Sequence, residues 1–303
     1  DSYVLTAEAQ ELKIGTVTLL DRPSLTLNSN QKRTLAELYW GDKDSPKSGD
    51  LMLKLENGLV SVLRPNFYVG STKWALDIDS LALAVAQGIE VCGKGIKVAS
   101  EEQHIEAALK RSGRDDDNIN LDIDNFSLQL PCELLLQGTQ LDIAGFISGR
   151  FAMYGLNATP YFNANLTIDS CTVNQQPLGD IAVRSNWNAE LNILNLQFIG
   201  DQVAARGWVC LGKQEQDMDF SVDFNRLELG LIAPLMSTFT SRFEGQLRGS
   251  LDVTGTTAKP ELTGEAIVDN GALKIDITGV TYYFDDTISF KNKRIHLNDF
   301  IES

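Results

Sequence analysis

Strict alternation of apolar and polar residues limits this chain more than any other feature. In GDLMLKLENG, Leu51, Leu53 and Leu55 face one way, while Met52, Lys54 and Glu56 face the other. In NINLDIDNF, Ile119, Leu121 and Ile123 oppose Asn120, Asp122 and Asp124. In DMDFSVDFN, Met218, Phe220, Val222 and Phe224 oppose Asp219, Ser221 and Asp223. A period of two is the signature of strands with one buried face. The triplets Glu56-Asn57-Gly58 and Asp269-Asn270-Gly271 read as turns between strands. Helical pattern is scarce. Residues 101–111 form the best helix candidate, residues 229–239 supply a turn or two despite Pro234, and residues 31–38 are a weaker third. Residues 41–50 and 111–117 read as loops by composition. The fold class is therefore all-β and mainly antiparallel.

The pattern also recurs at long range. SGRFAMYGLNATPYFNANLTID, starting at Ser148, aligns without a gap with RGSLDVTGTTAKPELTGEAIVD, starting at Arg248, at an offset of 100. Gly145, Gly149 and Gly155 match Gly245, Gly249 and Gly255, and Pro160 matches Pro260. Phe151, Met153, Phe162 and Ile168 match Leu251, Val253, Leu262 and Val268. Each copy reads as two strands joined by a turn, with Gly155 or Gly255 ending the first strand. Pro160 or Pro260 opens the second, where a missing N–H is tolerated. A weaker echo relates residues 123–130 to residues 224–231 at an offset of 101. A unit of roughly a hundred residues holds eight to ten strands, or ~40–48 Å of sheet. Such units complete their burial by stacking. On this reading residues 1–140 are the upstream part of the sheet with one or two short helices. Residues 141–240 are one repeat, and residues 241–303 are part of the next.

The second copy, GQLRGSLDVTGTTAKPELTGEAIVDNGAL from Gly245, resembles the TamB group of AsmA-like envelope proteins. Their recurring segments have the form GxLxGxLxLxGxxxxPxLxGxLxLxxGxL. The first copy departs from it at Asn163-Ala164 and at Ser170-Cys171. PLGDIAVRSNWNAELNILNLQF, from Pro177, and GVTYYFDDTISFKNKRIHLNDF, from Gly279, are similar to further segments of that group. The likeness extends from Gly145 to the end and is looser before it. The resemblance implies an elongated, curved sheet folded lengthwise into an open, taco-like groove with an apolar lining. It implies a segment of a longer, membrane-anchored protein in the periplasm of a diderm bacterium. That protein would carry phospholipid acyl chains between inner and outer membranes, with an outer-membrane β-barrel protein as partner. Its inner-membrane attachment would lie outside this chain. The older reading of the group is assistance in outer-membrane barrel assembly by β-augmentation. Neither reading brings catalytic residues or a cofactor.

The residues themselves leave two outcomes open. A sheet with one apolar face and few helices either curls into a closed, dry core or shares its burial with a ligand. Acyl chains suit a continuous trough, each methylene contributing about 0.8 kcal/mol. The lining would be Phe151, Met153, Phe162, Leu166 and Ile168 in the first copy, and Leu251, Val253, Leu262 and Val268 in the second.

Other chemistries find little purchase. A net charge of −15 argues against nucleic acid and anionic membrane surfaces. No run of residues matches a membrane helix or a signal peptide, and the chain reads as a fragment. Cys92, Cys132, Cys171 and Cys210 form no CxxC pair and, spaced by 40, 39 and 39, stand too many strands apart to bridge. They read as small buried apolar residues, with neither disulfide nor metal. GIEVCGKG, from Gly88, is a near miss to a phosphate-binding loop, with Gly95 where a hydroxyl should be. The acidic run from Asp115 to Asn125 lacks the glycine of a calcium loop and reads as a solvated strand face. With two histidines and no hydrolase motif, the chain is expected not to be an enzyme. Asn157 and Asn165 begin glycosylation-type triplets that arise readily by chance.

Overall fold

A computed structural model of the chain describes residues 2–14, 17–42, 48–69, 72–84, 90–113, 117–129, 132, 142–157, 159–211, 217–231, 233, 240–291 and 294–297. The described residues are nearly all strand, and every ladder for which pairing is resolved is antiparallel. Packing divides the chain into two units. The first takes in residues up to Phe126 and Ser148–Tyr161. The second takes in Ser127–Cys132, residues 142–147 and Phe162 onward.

The first unit begins with β1 (Ser2–Glu8) and a separate hairpin of β2 (Glu11–Ile14) and β3 (Val17–Asp21). It continues through β4 (Ser24–Asn30), β5 (Arg33–Trp40), β6 (Gly49–Glu56), β7 (Leu59–Arg64) and β8 (Asn66–Val69). Then follow β9 (Thr72–Ala84), β10 (Glu90–Ala99), β11 (His104–Arg111) and β12 (Asn118–Ser127). Register sorts apolar residues onto one face. Leu25, Leu38 and Leu51 stand opposite one another on β4, β5 and β6. Ile78, Ile96, Ala107 and Leu121 do so across β9 to β12. The Glu56-Asn57-Gly58 turn forms as expected: Asn57 and Gly58 take φ of 53° and 75°, the left-handed pair of a tight hairpin turn.

Two helix expectations fail here. Residues 101–111 hold β11, which pairs with β12 from His104 to Lys110. Ile105, Ala107 and Leu109 already alternate with Glu106, Ala108 and Lys110, and the ladder overrides their helix propensity. Residues 31–38 run into β5, entered through a turn in which the Asn30 side-chain oxygen accepts from the N–H groups of Lys32 and Arg33.

β13 (Ile143–Tyr154) spans the division, with residues 143–147 in the second unit and Ser148 onward in the first. The second unit continues with β14 (Tyr161–Val173), β15 (Gln176–Asn188), β16 (Ile193–Ile199), β17 (Val203–Cys210) and β18 (Asp217–Glu228). A 3-10 turn at Leu229–Leu231 realises the described start of the 229–239 candidate, and Ala233 is helical. β19 (Thr240–Thr256), β20 (Lys259–Ile275), β21 (Val280–Lys291) and β22 (Arg294–Leu297) complete the order.

Both copies of the repeat are hairpins, and their glycines do the same work. Gly155 has φ of 66°, and an added Cβ would lie 2.7 Å from the Thr159 carbonyl oxygen. Gly255 has φ of 91° and would meet the Lys259 carbonyl oxygen at 2.8 Å. The Asp269-Asn270-Gly271 turn is corrected: β20 runs straight through it, and Asn270, at φ of 52°, is a bulge between the pairs at Val268 and Gly271. Ser170, its counterpart in the first copy, has φ of 51° within β14. Bulged residues lose a ladder partner and bend their strand, and here the next strand supplies a substitute. The Ser170 N–H donates to Asp180 at 2.9 Å, the Asn270 N–H to Asp285, and the Asn125 N–H of β12 to the Ser148 hydroxyl at 2.9 Å. Asn125 and Arg226, related by the weaker echo, share left-handed φ of 52° and 57°.

Candidate functional site

The apolar face of the second unit assembles row by row from register. One row crosses seven strands, from Val183 on β15 through Phe198, Ala205, Val222, Leu251 and Gly264 to Phe290 on β21. The row beside it carries Leu196, Gly207, Phe220, Val253 and Leu262. Glycine falls where the backbone of the neighbouring strand comes close. A Cβ on Gly207 would meet the Asp219 carbonyl oxygen before reaching the Phe220 ring at 2.6 Å, and one on Gly264 would lie 2.4 Å from the Ser250 carbonyl oxygen. No charged residue enters either row. Seven strands, at ~4.8 Å each, give a strip of roughly 29 Å, about twice the depth of one leaflet's hydrocarbon, ~15 Å.

Among the described residues the buried apolar side chains are few: Trp40 and Trp74 in the first unit, with Cys171, Ile181, Leu229, Leu231, Ala266, Val268 and Ala272 in the second. The rows above stay half-buried over most of their length.

The nine expected lining residues distribute as follows. Val253 and Leu262 stand opposite each other, Leu251 faces Gly264, and Val268 faces Leu247. Val268 is 1% exposed and Leu262 38% exposed, so one alternating strand runs from deep burial to an open margin. Phe162 packs on Trp187 with ring centroids 6.0 Å apart. Ile168 lies against Gly145, where an added Cβ would meet its Cγ2 at 3.0 Å. Leu166 is half-buried between exposed Asn165 and Thr167. Phe151 and Met153 belong to the first unit and are half-buried, while Arg150 between Gly149 and Phe151 turns outward to pair with Asp122 at 2.6 Å. Sequence reasoning missed Trp187, whose indole N–H is buried without a partner. It is two residues beyond Ser185 on the apolar side of β15 and opposite Leu194.

The remaining motifs resolve into structure. The glycine-rich stretch near Gly93 is strand β10, with no helix after it to receive a phosphate. The described residues contain no cluster of metal-ligating side chains and no helix long and apolar enough to cross a membrane. All four cysteines are free. Only Cys171 fits the buried reading; there, burial raises the thiol pKa, keeping it protonated as a small apolar group. Cys92 is exposed, which corrects that expectation, because it falls on the outward side of β10. Asp122 and Asp124 are exposed as a solvated strand face should be. Asp117 is not: it is fully buried and accepts hydrogen bonds from the Ser112 N–H and hydroxyl, the Gly113 N–H and the Asn157 side chain. Burial pushes its pKa up, but these donors outweigh it and hold the carboxyl below its ordinary value.

Comparison of the chain with family models, with curated proteins and with solved structures finds no match. Any assignment therefore rests on the residues and geometry above.

Proposed function

We propose that the chain is a segment of a lipid-conducting β-groove of the TamB type. It would carry phospholipid acyl chains across the periplasm of a diderm bacterium, between inner and outer membranes, within a longer, membrane-anchored protein that docks on an outer-membrane β-barrel. The observation that carries this reading is the uninterrupted apolar row from Val183 to Phe290, left half-buried rather than covered. A lipid leaving a bilayer loses about 0.8 kcal/mol per methylene, so a conduit must return a similar amount at every step. A row without charges or hydrogen-bonding side chains does so evenly and offers no single place to trap the chain. The taco-like curvature is part of the same proposal. Its support is the succession of bulges on β10, β18, β19 and β20, each of which bends its strand.

The test is phospholipid co-purification read by mass spectrometry, together with transfer of a fluorescent phospholipid between donor and acceptor vesicles. Val253→Asp and Met153→Asp should block transfer while circular dichroism stays that of the parent. Photo-reactive residues placed alternately over 151–155 and 251–255 should crosslink lipid from one face only. A lipid-free protein whose two faces crosslink alike would end the conduit reading.

A second reading is favoured by one observation. β1 is exposed along its whole length, with Tyr3, Val4 and Leu5 at 70%, 67% and 62%. An assembly protein that pairs client strands by β-augmentation needs a free backbone edge, and the ladder resolved for β1 is to β4, on one of its two edges. It predicts crosslinks from β1 to nascent outer-membrane barrels with no lipid bound.

A further inference from the structure

The outward face of β14 to β18 holds a second, chemically different site. Opposite the apolar rows lies an open trough of about 780 Å³, lined by Asn163, Asn165, Arg184, Asn186, Asn195, Gln197, Arg206, Trp208, Asp219 and Ser221, with Ala164, Ser185, Leu196 and Gly207 between them. Register sets most of these side chains in two parallel rows. One reads Arg184, Gln197, Arg206, Ser221, and the other Asn186, Asn195, Trp208, Asp219. Neighbouring members of a row are ~4.8 Å apart and the rows ~7 Å apart. All of them come from the polar half of the alternation, so none is needed for the apolar face behind.

Three features separate this patch from an ordinary wet strand face. First, Trp208 presents an indole at 36% exposure in the middle of polar neighbours. Second, Arg184 and Arg206 have no ion-pair partner among the described residues. By contrast Arg22, Arg64, Arg150, Arg242 and Arg248 each hold a carboxylate. Arg33, Arg111 and Arg226 also lack an ion pair among the described residues, but only Arg184 and Arg206 stand in one row, with Gln197 between them. Third, the amides are in fixed relation, the Asn195 side-chain N–H donating to Asn186 at 3.0 Å.

Each part has a natural counterpart on a sugar chain. A pyranose ring has a flat apolar face, which stacks on an indole. Its rim of hydroxyls both donates and accepts, matching the side-chain amides and the Asp219 carboxylate. Two guanidiniums two strands apart, ~10 Å, are placed to take carboxylates from alternate units of the strand. Nucleic acid would also stack and pair with arginine, but the Asp219 carboxylate opposite Trp208 calls for hydroxyl donors, which a sugar rim supplies and a DNA phosphodiester backbone lacks.

We propose that this trough binds an acidic glycan, a polysaccharide strand whose sugars carry carboxylates. The proposal is independent of the lipid reading, since it uses the other face of the same strands. The test is titration of the 303-residue chain with tetragalacturonate, followed by calorimetry and indole fluorescence. Chitotetraose serves as the neutral comparison and a short oligothymidylate as the anionic one. Saturable binding of the uronate should weaken with salt, and Trp208→Ala should reduce it about tenfold. Arg184→Gln combined with Arg206→Gln should leave any weak saccharide binding but abolish the preference for the acid. Because these side chains are exposed, the variants should keep the parent's circular dichroism and thermal midpoint. Overturning results are absence of saturable saccharide binding at millimolar concentration, binding unchanged in Trp208→Ala, or equally tight binding of the oligothymidylate.

Discussion

The two hairpins, β13–β14 and β19–β20, differ in a way that shows what the repeat preserves. Their backbones agree closely. Gly145 and Gly245 each leave room for a carbonyl at the same distance, Asp169 for one and Asp269 for the other, both 3.1 Å from an ideal Cβ. Gly149 and Gly249 take φ of 130° and 137°. The bulges at Ser170 and Asn270 agree within a degree. The side chains between these points do not agree: Phe151, Met153 and Phe162 become Leu251, Val253 and Leu262. Glycine itself is exchanged where the two backbones differ. Gly264 sits at φ of 130° with a Cβ position 2.4 Å from the Ser250 carbonyl oxygen, whereas Ala164 replaces it in the first copy. Gly271, covered by the Phe284 ring, becomes buried Cys171. What recurs is the set of places where the chain bends; the side chains between them need only be apolar.

The largest effect should come from putting charge into the apolar face at different depths. Val268→Asp buries an unpaired carboxylate and should lower unfolding free energy by about 4 kcal/mol. Ile168→Asp, at the matching half-buried position, should cost about 2 kcal/mol, and Leu262→Asp, at the open margin, under about 1 kcal/mol. Equal urea midpoints for all three would mean the gradient of burial does not exist in solution. Next in size is the exchanged glycine. Gly264→Ala should cost about 3 kcal/mol through backbone strain and contact. The reverse change, Ala164→Gly, should cost under about 1 kcal/mol, through chain entropy alone. If the two swaps were symmetrical, the copies would share a conformation at that point after all.

Smaller effects sharpen the likeness instead. Asp180→Ala and Asp285→Ala each strip the acceptor from a bulge N–H, so each should cost about 1 kcal/mol, and by similar amounts. Calorimetry of the pair would break the equivalence if one proved neutral. Smallest is Ser170→Gly, which relieves left-handed φ at a non-glycine and should stabilise by a few tenths of a kcal/mol. Asn270→Gly should gain less, because asparagine tolerates that conformation better.

Much of this was legible in the residues, and the failures have physical causes. Alternation located β6, β12 and β18 because one side is apolar along β6, up to Ile123 in β12 and up to Phe224 in β18. It misread residues 101–111 because Glu, Ala and Lys favour helix in isolation, and only the facing β12 reveals the strand. Asp269-Asn270-Gly271 misled for a related reason: a hairpin turn and a bulge make the same demand for positive φ, and local sequence does not distinguish them. Val268 and Leu262 occupy equivalent places in one alternating run, so their 1% and 38% exposure could be known only from what surrounds each end of β20. The polar trough was invisible for a further reason. Its members are scattered from Asn163 to Ser221, and only the register of five strands brings them side by side.

The bulge at Asn270, with its N–H held by the following strand, carries a consequence for how such a protein changes size. If bending is written into a few backbone positions inside each unit, duplicating a unit adds a fixed increment of span without redesigning its neighbours. Reach then becomes a matter of counting copies. A lineage whose two boundaries moved apart could follow them by gene duplication, leaving point mutation free to adjust the greasy side chains.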